Sequence, residues 1–532
     1  MNAPRLALAS LMLSTVAAGA NAADLNLAGV NAYARGEQVT SISQFSDVKP
    51  TDWAYQALSN LVDRYGCVAG YPNSTFKGGQ SMTRYEAAAL LNACLDRVTE
   101  TTDELKRLMK EFQKELAVLR GRVDGLEARV GELEANQFST TTKLKGYAAM
   151  VVGANSYGGN LTGTPALNAI NGAPVGGKYT NFASQVQGAT AFAYDLRLDL
   201  DTSFTGKDLL RTRLRAGDFG QSPWSGGPAV GLNAMETAFE ENCGTGMDCG
   251  DVVAVNRLFY QFPIGSSFTA SFGARVRQDD MLAMWPSAYP ADTVLDFFAY
   301  PGAPGAYSVN LGAGAGLWWK AGGFSISTNY VSANGDVANP SQGGIGTAGA
   351  SETGTVQLAY GGANYGLAAA YTYSNGAGLY GGNGTPLAVI ASQNADSMNS
   401  VGLSAYWSPL ASGWFPSVST GWGINAYNLS SNRPAVVLPG SPKSQSWYFG
   451  FQWADALLKG NTFGFAFGQP TFITSSNDGN YAWEWWYKMQ VTDNISVTPA
   501  LYYLTAPLGD LQKVNGQSFN NFGGLVKTTF RF

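Results

Sequence analysis

From about Phe138 to the C-terminus, apolar and polar residues alternate in short runs. SWYFGFQW (446–453) places Trp447, Phe449, Phe451 and Trp453 on one face. YAWEWWYKMQV sends Trp483, Trp485, Tyr487, Met489 and Val491 one way, with Glu484, Lys488 and Gln490 the other. The last eight residues, LVKTTFRF, set Val526, Thr528, Phe530 and Phe532 against Lys527, Thr529 and Arg531. A period of two is the pattern of strands with unlike faces. Short turns near 206–207, 263–265, 321–323, 361–364, 408–415, 459–461 and 492–494 punctuate these runs. Between them lie long polar or Gly-rich segments near 156–187, 218–252, 279–307, 334–353, 375–396, 429–444, 469–479 and 505–520. Eight long loops separated by short turns predict about sixteen antiparallel strands, with both ends on the short-turn side.

Upstream the period is different. Leu105, Met109, Phe112, Leu116, Leu119, Val123, Leu126, Val130 and Leu133 alternate spacings of four and three, the a/d seam of a coiled coil over 99–136. Residues 45–98 carry two amphipathic helices separated by the YPNST turn (71–75). Asp52 is placed to cap the first. Thr83 caps the second, with Glu86 three residues on completing a capping box.

Composition turns alternating strands into a membrane prediction. Charged residues are 13% of the 532, against roughly 25% in soluble proteins, while aromatics reach 12%. No stretch after the N-terminus has the ~20 apolar residues of a membrane helix. The fold class is therefore mainly β: a transmembrane antiparallel barrel over 137–532, preceded by a small helical module and a coiled-coil helix. Residues 1–22, with Arg5, the apolar run 6–18 and the exit Ala20-Asn21-Ala22, read as a signal peptide followed by a linker, 23–44. The net charge of −5 argues against nucleic acid as a partner. The absence of histidine removes Ser-His-Asp and Cys-His catalysis and every His-ligated metal site. Neither an enzyme nor a cofactor is expected. In an exported chain the four cysteines suggest disulfides, the nearest pairings being Cys67–Cys94 and Cys243–Cys249.

The chemistry of a barrel lies on its inward residues. AYDLRLDL turns Leu196, Leu198 and Leu200 outward and Asp195, Arg197 and Asp199 inward. LLRTRLR likewise turns Arg211, Arg213 and Arg215 inward, FTASFGARVR adds Arg275 and Arg277, and VNRLFY adds Arg257. The long loop that follows carries Asp279, Asp280, Asp292 and Asp296 with no positive charge.

Several stretches resemble known modules. FSDV, WA, the Gly66–Gly70–YP turn and TRYE make 45–98 similar to the S-layer homology module, with Tyr85 where alanine is usual. That resemblance implies binding of anionic, peptidoglycan-linked polysaccharide through Asp47, Trp53, Gly70, Thr83, Arg84 and Glu86. Arg122-Val123-x-x-Leu126-Glu127 and its repeat at Arg129–Glu134 resemble the motif that specifies trimers in short coiled coils, implying a homotrimer. The terminal Phe532 resembles the signal read by the outer-membrane barrel insertion machinery. Module, rod and barrel together resemble the cyanobacterial outer-membrane porin family, of the carbohydrate-selective and iron-uptake-porin-like kind. The resemblance implies a trimeric, wall-tethered channel for inorganic ions and very small solutes. Since the third loop of sixteen-stranded porins folds inward, its acids are expected to face the arginine arc across a constriction; the alternative, which can hold at the same time, is that the arginines solvate the lumen and pair with Asp195 and Asp199. The rival is a structural tether with a largely closed barrel.

Overall fold

The computed structural model describes residues 41–52, 55–59, 61–62, 75–76, 110, 141–241, 249–290, 294–430, 442–475, 479–512 and 516–532. The chain divides into two compact units, 1–135 and 136–532. In the first, Ile42, Phe45, Leu58 and Val62 are buried, with Phe76 packed against them. Helix α1 (Tyr55–Ser59) supplies Leu58 to this core. Asp47 Oδ1 accepts the backbone N–H of Phe76 at 2.7 Å and so ties the two ends of the described segment together. Asp52 Oδ2 accepts the N–H of Lys49 at 2.7 Å, closing the turn that precedes α1. The heptad seam lies outside the described residues.

The second unit is a closed barrel of sixteen antiparallel strands, each hydrogen-bonded to its neighbours in sequence, with the first strand paired to the last. Its hairpins begin with β1 (Thr142–Gly159) and β2 (Ala191–Thr202), then β3 (Leu209–Gly217) and β4 (Ala254–Ile264). They continue through β5 (Phe268–Arg277), β6 (Leu311–Ala321), β7 (Phe324–Ser332) and β8 (Glu352–Gly361). Next come β9 (Tyr365–Asn375), β10 (Ala395–Trp407), β11 (Ser417–Leu429) and β12 (Lys443–Ala454). The circuit ends with β13 (Thr462–Ile473), β14 (Ala482–Thr492), β15 (Ile495–Thr505) and β16 (Phe519–Arg531). Short turns and long loops alternate around it as the sequence predicts, and the termini of the barrel share the short-turn side.

Alternation decides which face is which. In β9, Tyr365, Leu367, Tyr371 and Tyr373 are exposed, while Ala368, Ala370, Thr372 and Ser374 are buried. The large exposed side chains mark the lipid face, and the small buried ones mark the filled interior. On the outer face of β12 to β14, rings stack across strands: Phe449 on Phe467 at 5.6 Å and Phe465 on Trp485 at 5.6 Å. Such pairs add about 0.5–1.5 kcal/mol each beyond their area. Barrel closure explains the terminal aromatic. Phe532 exchanges two backbone hydrogen bonds with Gly146, and a Cβ at 146 would lie 2.1 Å from the Phe532 ring. Glycine there lets the last ring lie flat on the first strand.

The long loops fill part of the barrel's interior. Loop 1 (160–190) carries helices α2 (Pro165–Asn171) and α3 (Tyr179–Gln187). Tyr179, Trp224, Leu232, Leu295, Phe297 and Phe298 from the long loops join inward Tyr448, Trp486 and Tyr502 from the strands in one buried apolar cluster.

Candidate pore and constriction

Loop 3 (278–310) runs inward and is seated on the inner wall. Its backbone groups find partners there: Ala283 N–H on Ser327 Oγ (3.0 Å), and Ala288 and Tyr289 N–H on Ser419 Oγ (2.9 and 3.0 Å). Ser404 donates to the Pro301 carbonyl at 2.7 Å, and Ser446 to that of Gly302 at 2.8 Å. A loop buried in a barrel must satisfy its peptide groups, so short hydroxyl side chains line its seat. The fit is close enough that a Cβ on Gly421 would stand 1.9 Å from the Pro301 carbonyl oxygen. One charged anchor completes the seat. Glu484, fully buried on β14, accepts the Tyr289 hydroxyl at 2.6 Å and the Leu295 N–H at 2.8 Å. Trp486 Nε1 donates to the same Tyr289 oxygen at 2.7 Å.

Loop 2 (218–253) meets loop 3 edge to edge. Asp296 N–H donates to the Ala234 carbonyl at 2.9 Å, and Glu236 N–H to that of Val294 at 3.3 Å. Asn383 of loop 5 (376–394) donates to Asp296 Oδ2 at 2.8 Å. Burial raises the Asp296 carboxyl to about 7, reinforced by the negative charge of Glu236 and opposed by Tyr380, Asn383 and Arg277.

The arginine arc is a ladder of paired charges. Arg211 holds Asp201 through two bonds (2.8 and 2.9 Å), and Arg213 holds Asp199 likewise (2.7 and 2.9 Å). Both are direct cross-strand partners on β2 and β3. Arg215 holds Asp195 at 2.7 and 3.0 Å, and Arg197 reaches the same carboxylate at 2.7 Å while touching Glu236 of loop 2 at 3.4 Å. Further round, Arg257 meets Asp280 at 2.6 Å, and Arg277 takes both oxygens of Asp279. Planar guanidinium and carboxylate groups match in this two-bond geometry.

The expected opposition of wall arginines and loop acids across the lumen therefore takes another form. Asp279 and Asp280 lie on the first turn of loop 3 and bond to arginines of the wall they leave. Asp296 is 4% exposed and is held by Asn383 rather than by the ladder. Arg275 makes no ion pair among the described residues, and its Nε is buried; a register shift at Gly273/Val276 sets it apart from its neighbours. Asp292 lies outside the described residues, as do Trp53, Gly70, Thr83, Arg84, Glu86, Cys67, Cys94 and Cys243. Asp47 is described, and its carboxylate serves the Phe76 backbone. Cys249 is buried and disulfide-bonded, its partner lying outside the described residues. Alternation in β14 turns Glu484 inward, but nothing along the chain pairs it with Tyr289, 195 positions away. That anchor emerges only from the fold.

The model of the carbohydrate-selective porin, OprB family, matches residues 99–532. The chain belongs to that family. This porin also matches the S-layer homology domain over residues 44–88. An uncharacterized protein of Nostoc sp. is 36% identical to it, over 93% of this chain and 86% of its own length. Outer membrane protein SlpA of Deinococcus radiodurans is 34% identical over 18% of this chain and 9% of its own. The high-pH structure of Pseudomonas putida OprB is 12% identical with a TM-score of 0.45, covering 76% of this chain and 96% of that one. The protein is thus an outer-membrane porin, a non-enzymatic channel protein, with an S-layer homology module preceding its barrel.

Proposed function

We propose that this porin is a narrow diffusion channel for inorganic ions and very small solutes, tethered to the wall by its N-terminal module. The observation that carries the reading is the packing of the long loops inside the barrel. Loop 3 is seated on inward residues of β7, β10, β11, β12 and β14, and loops 1 and 2 add Tyr179, Trp224 and Leu232 to the same buried cluster. Along one side of the wall runs the charged arc. A path bounded by fixed charges and dry walls suits small hydrated ions better than sugars. Single-channel conductance in planar bilayers, followed by liposome swelling with sugars of rising size, tests this. Salt conductance without monosaccharide uptake is expected; ready uptake of mono- and disaccharides would replace the ion reading with a carbohydrate one.

The same packing favours a second reading, a structural tether with a closed barrel, and silent bilayers would establish it. In either reading the module binds anionic polysaccharide linked to peptidoglycan, with Asp47, Trp53, Gly70, Thr83, Arg84 and Glu86 as the binding set. The heptad seam and its two Arg–Glu motifs support a homotrimer. Full-length protein in detergent should sediment with purified wall material, and Arg84→Ala should abolish this; retention of the variant on the wall would remove Arg84 from the site.

A further inference from the structure

Short turns at the periplasmic end of a barrel are expected to be small and polar, and most of them are. Four hairpins close through 265–267, 322–323, 362–364 and 493–494 without a large apolar side chain. The β2–β3 turn shows one, Phe204, lying beside Tyr260. Two neighbouring turns depart from this pattern. The β10–β11 turn (408–416) carries Leu410, Trp414 and Phe415, and the β12–β13 turn (455–461) carries Leu457 and Leu458, all exposed. Trp414 is 95% exposed and Leu457 91%, further than any outward strand residue among those described. Leu457 also sits at φ 62°, a left-handed conformation uncommon for a bulky residue. Glycine would fit there without strain, so the turn displays this leucine at a cost to its backbone.

The two turns adjoin because β11 pairs with β12, with Ser417 opposite Gln452 at the foot of both strands. Trp453 Nε1 donates to the Trp414 carbonyl at 3.0 Å and fastens one turn to the other. The Tyr487 hydroxyl donates to the Ala456 carbonyl and accepts from Asn461 Nδ2, both at 2.9 Å, holding the second turn to β14. Between the turns lies a groove of about 710 Å³ lined by Trp414, Trp453, Leu457, Phe463 and Tyr487. Its size falls within the about 300–1,000 Å³ of pockets that enclose ligands. Trp453, Phe463 and Tyr487 are cross-strand partners in one row, the lowest outward row shared by β12, β13 and β14. The groove therefore continues the lipid face past the strand ends, at the level where aromatic girdles meet the headgroups.

We propose that these two turns form a seat for a glycerophospholipid of the periplasmic leaflet, with an acyl chain lying in the groove. Apolar side chains gathered this openly on turns mark a surface that something covers. Continuity with the lipid face makes the cover lipid, and the short-turn side makes it the periplasmic leaflet. Hydrogen bonds between the turns and from β14 fix the walls beforehand, so little ordering opposes binding. The inference rests on the membrane-spanning barrel alone and holds whether the lumen conducts or is closed.

The test uses full-length protein in mild detergent and labelled phosphatidylcholine as the probe. Delipidated parent should take up the lipid saturably and retain it through gel filtration. Leu457→Gly suits the left-handed backbone, removes the side chain and should weaken uptake about tenfold, the scale of one buried apolar side chain. Trp414→Ser should do the same, because the carbonyl of this residue and not its ring holds Trp453. Leu457→Met, which keeps the apolar volume, should retain binding, and heat-modifiable gel migration reports that each variant is folded. In vesicles of phosphatidylcholine with brominated chains, the fluorescence difference between the parent and Trp414→Phe should be quenched. An unquenched difference would mean that a second copy or the chain's first unit covers the patch, and overturns the seat. Unsaturable uptake by the parent, or equal uptake by the folded Leu457→Gly, Trp414→Ser double variant, overturns it as well.

Discussion

Glu484→Ala isolates what holds loop 3 inside the barrel. The carboxylate accepts Tyr289 Oη at 2.6 Å and Leu295 N at 2.8 Å, in a fully buried position. Hydrogen bonds to a charged group contribute about 1.5–3 kcal/mol each, so losing both costs loop docking about 3–6 kcal/mol. The variant also leaves the Leu295 N–H without its carboxylate. Tyr289 keeps one partner, because its oxygen still accepts Trp486 Nε1. Against this loss stand the bonds from Ser419, Ser404 and Ser446, four neutral contacts of about 0.5–1.5 kcal/mol apiece. The two sums are of the same size. Loop 3 should therefore sample undocked states rather than leave the barrel altogether.

At 1.4 kcal/mol per factor of ten, a loss of about 3 kcal/mol raises the undocked fraction about a hundredfold. Single-channel records of Glu484→Ala should show excursions to larger conductance and added open-channel noise. Liposome swelling should admit larger sugars than the parent does. Glu484→Gln, which keeps one acceptor oxygen, should fall between them. A folded alanine variant with the parent's unit conductance, noise and solute cut-off would show that the loop is held by its serine contacts and that the charged anchor is dispensable.

Much of this architecture is legible in the sequence because lipid contacts one face of every strand. That asymmetry forces a period of two, and the period alone turns Arg211, Arg213 and Arg215 inward. Loop and turn lengths then carry the strand order. Pairing is harder to read, since it depends on register. Even so, Asp201 and Arg211 stand five residues either side of Gly206 and Asp199 and Arg213 seven, and direct pairing across the hairpin follows from that count. Counting the hairpin in this way exposes the ladder as paired charge instead of a bare cationic wall. The seat of loop 3 leaves a subtler signal. Inward positions of β10 to β12 include Ser400, Ser404, Ser419, Ser444 and Ser446, too short and polar to line either an apolar core or a wide aqueous lumen. Small hydroxyls facing inward mark a wall that another backbone lies against.

Because Arg213 and Asp199 pair with each other, removing one partner should expose the other. Arg213→Ser leaves Asp199 unopposed and should shift the reversal potential under a salt gradient toward cations, while Asp199→Asn should shift it toward anions. Both effects should shrink between 0.1 and 1 M salt, as the Debye length falls from about 10 to about 3 Å; unchanged potentials in both variants would place the ladder off the ion path. Asp296 gives the barrel a pH dependence of its own. Burial raises its carboxyl to about 7, and Glu236 of loop 2 adds to the shift, so the docked loop binds a proton that the released loop does not. The sign follows from linkage: docking is favoured below the ordinary carboxylate range and weakens as pH rises through about 7. Channel noise in the parent should therefore grow from acid to neutral pH. Asp296→Asn keeps a neutral side chain beside Asn383 at every pH and should flatten that dependence. A variant that retained the parent's pH profile would assign the proton to another group.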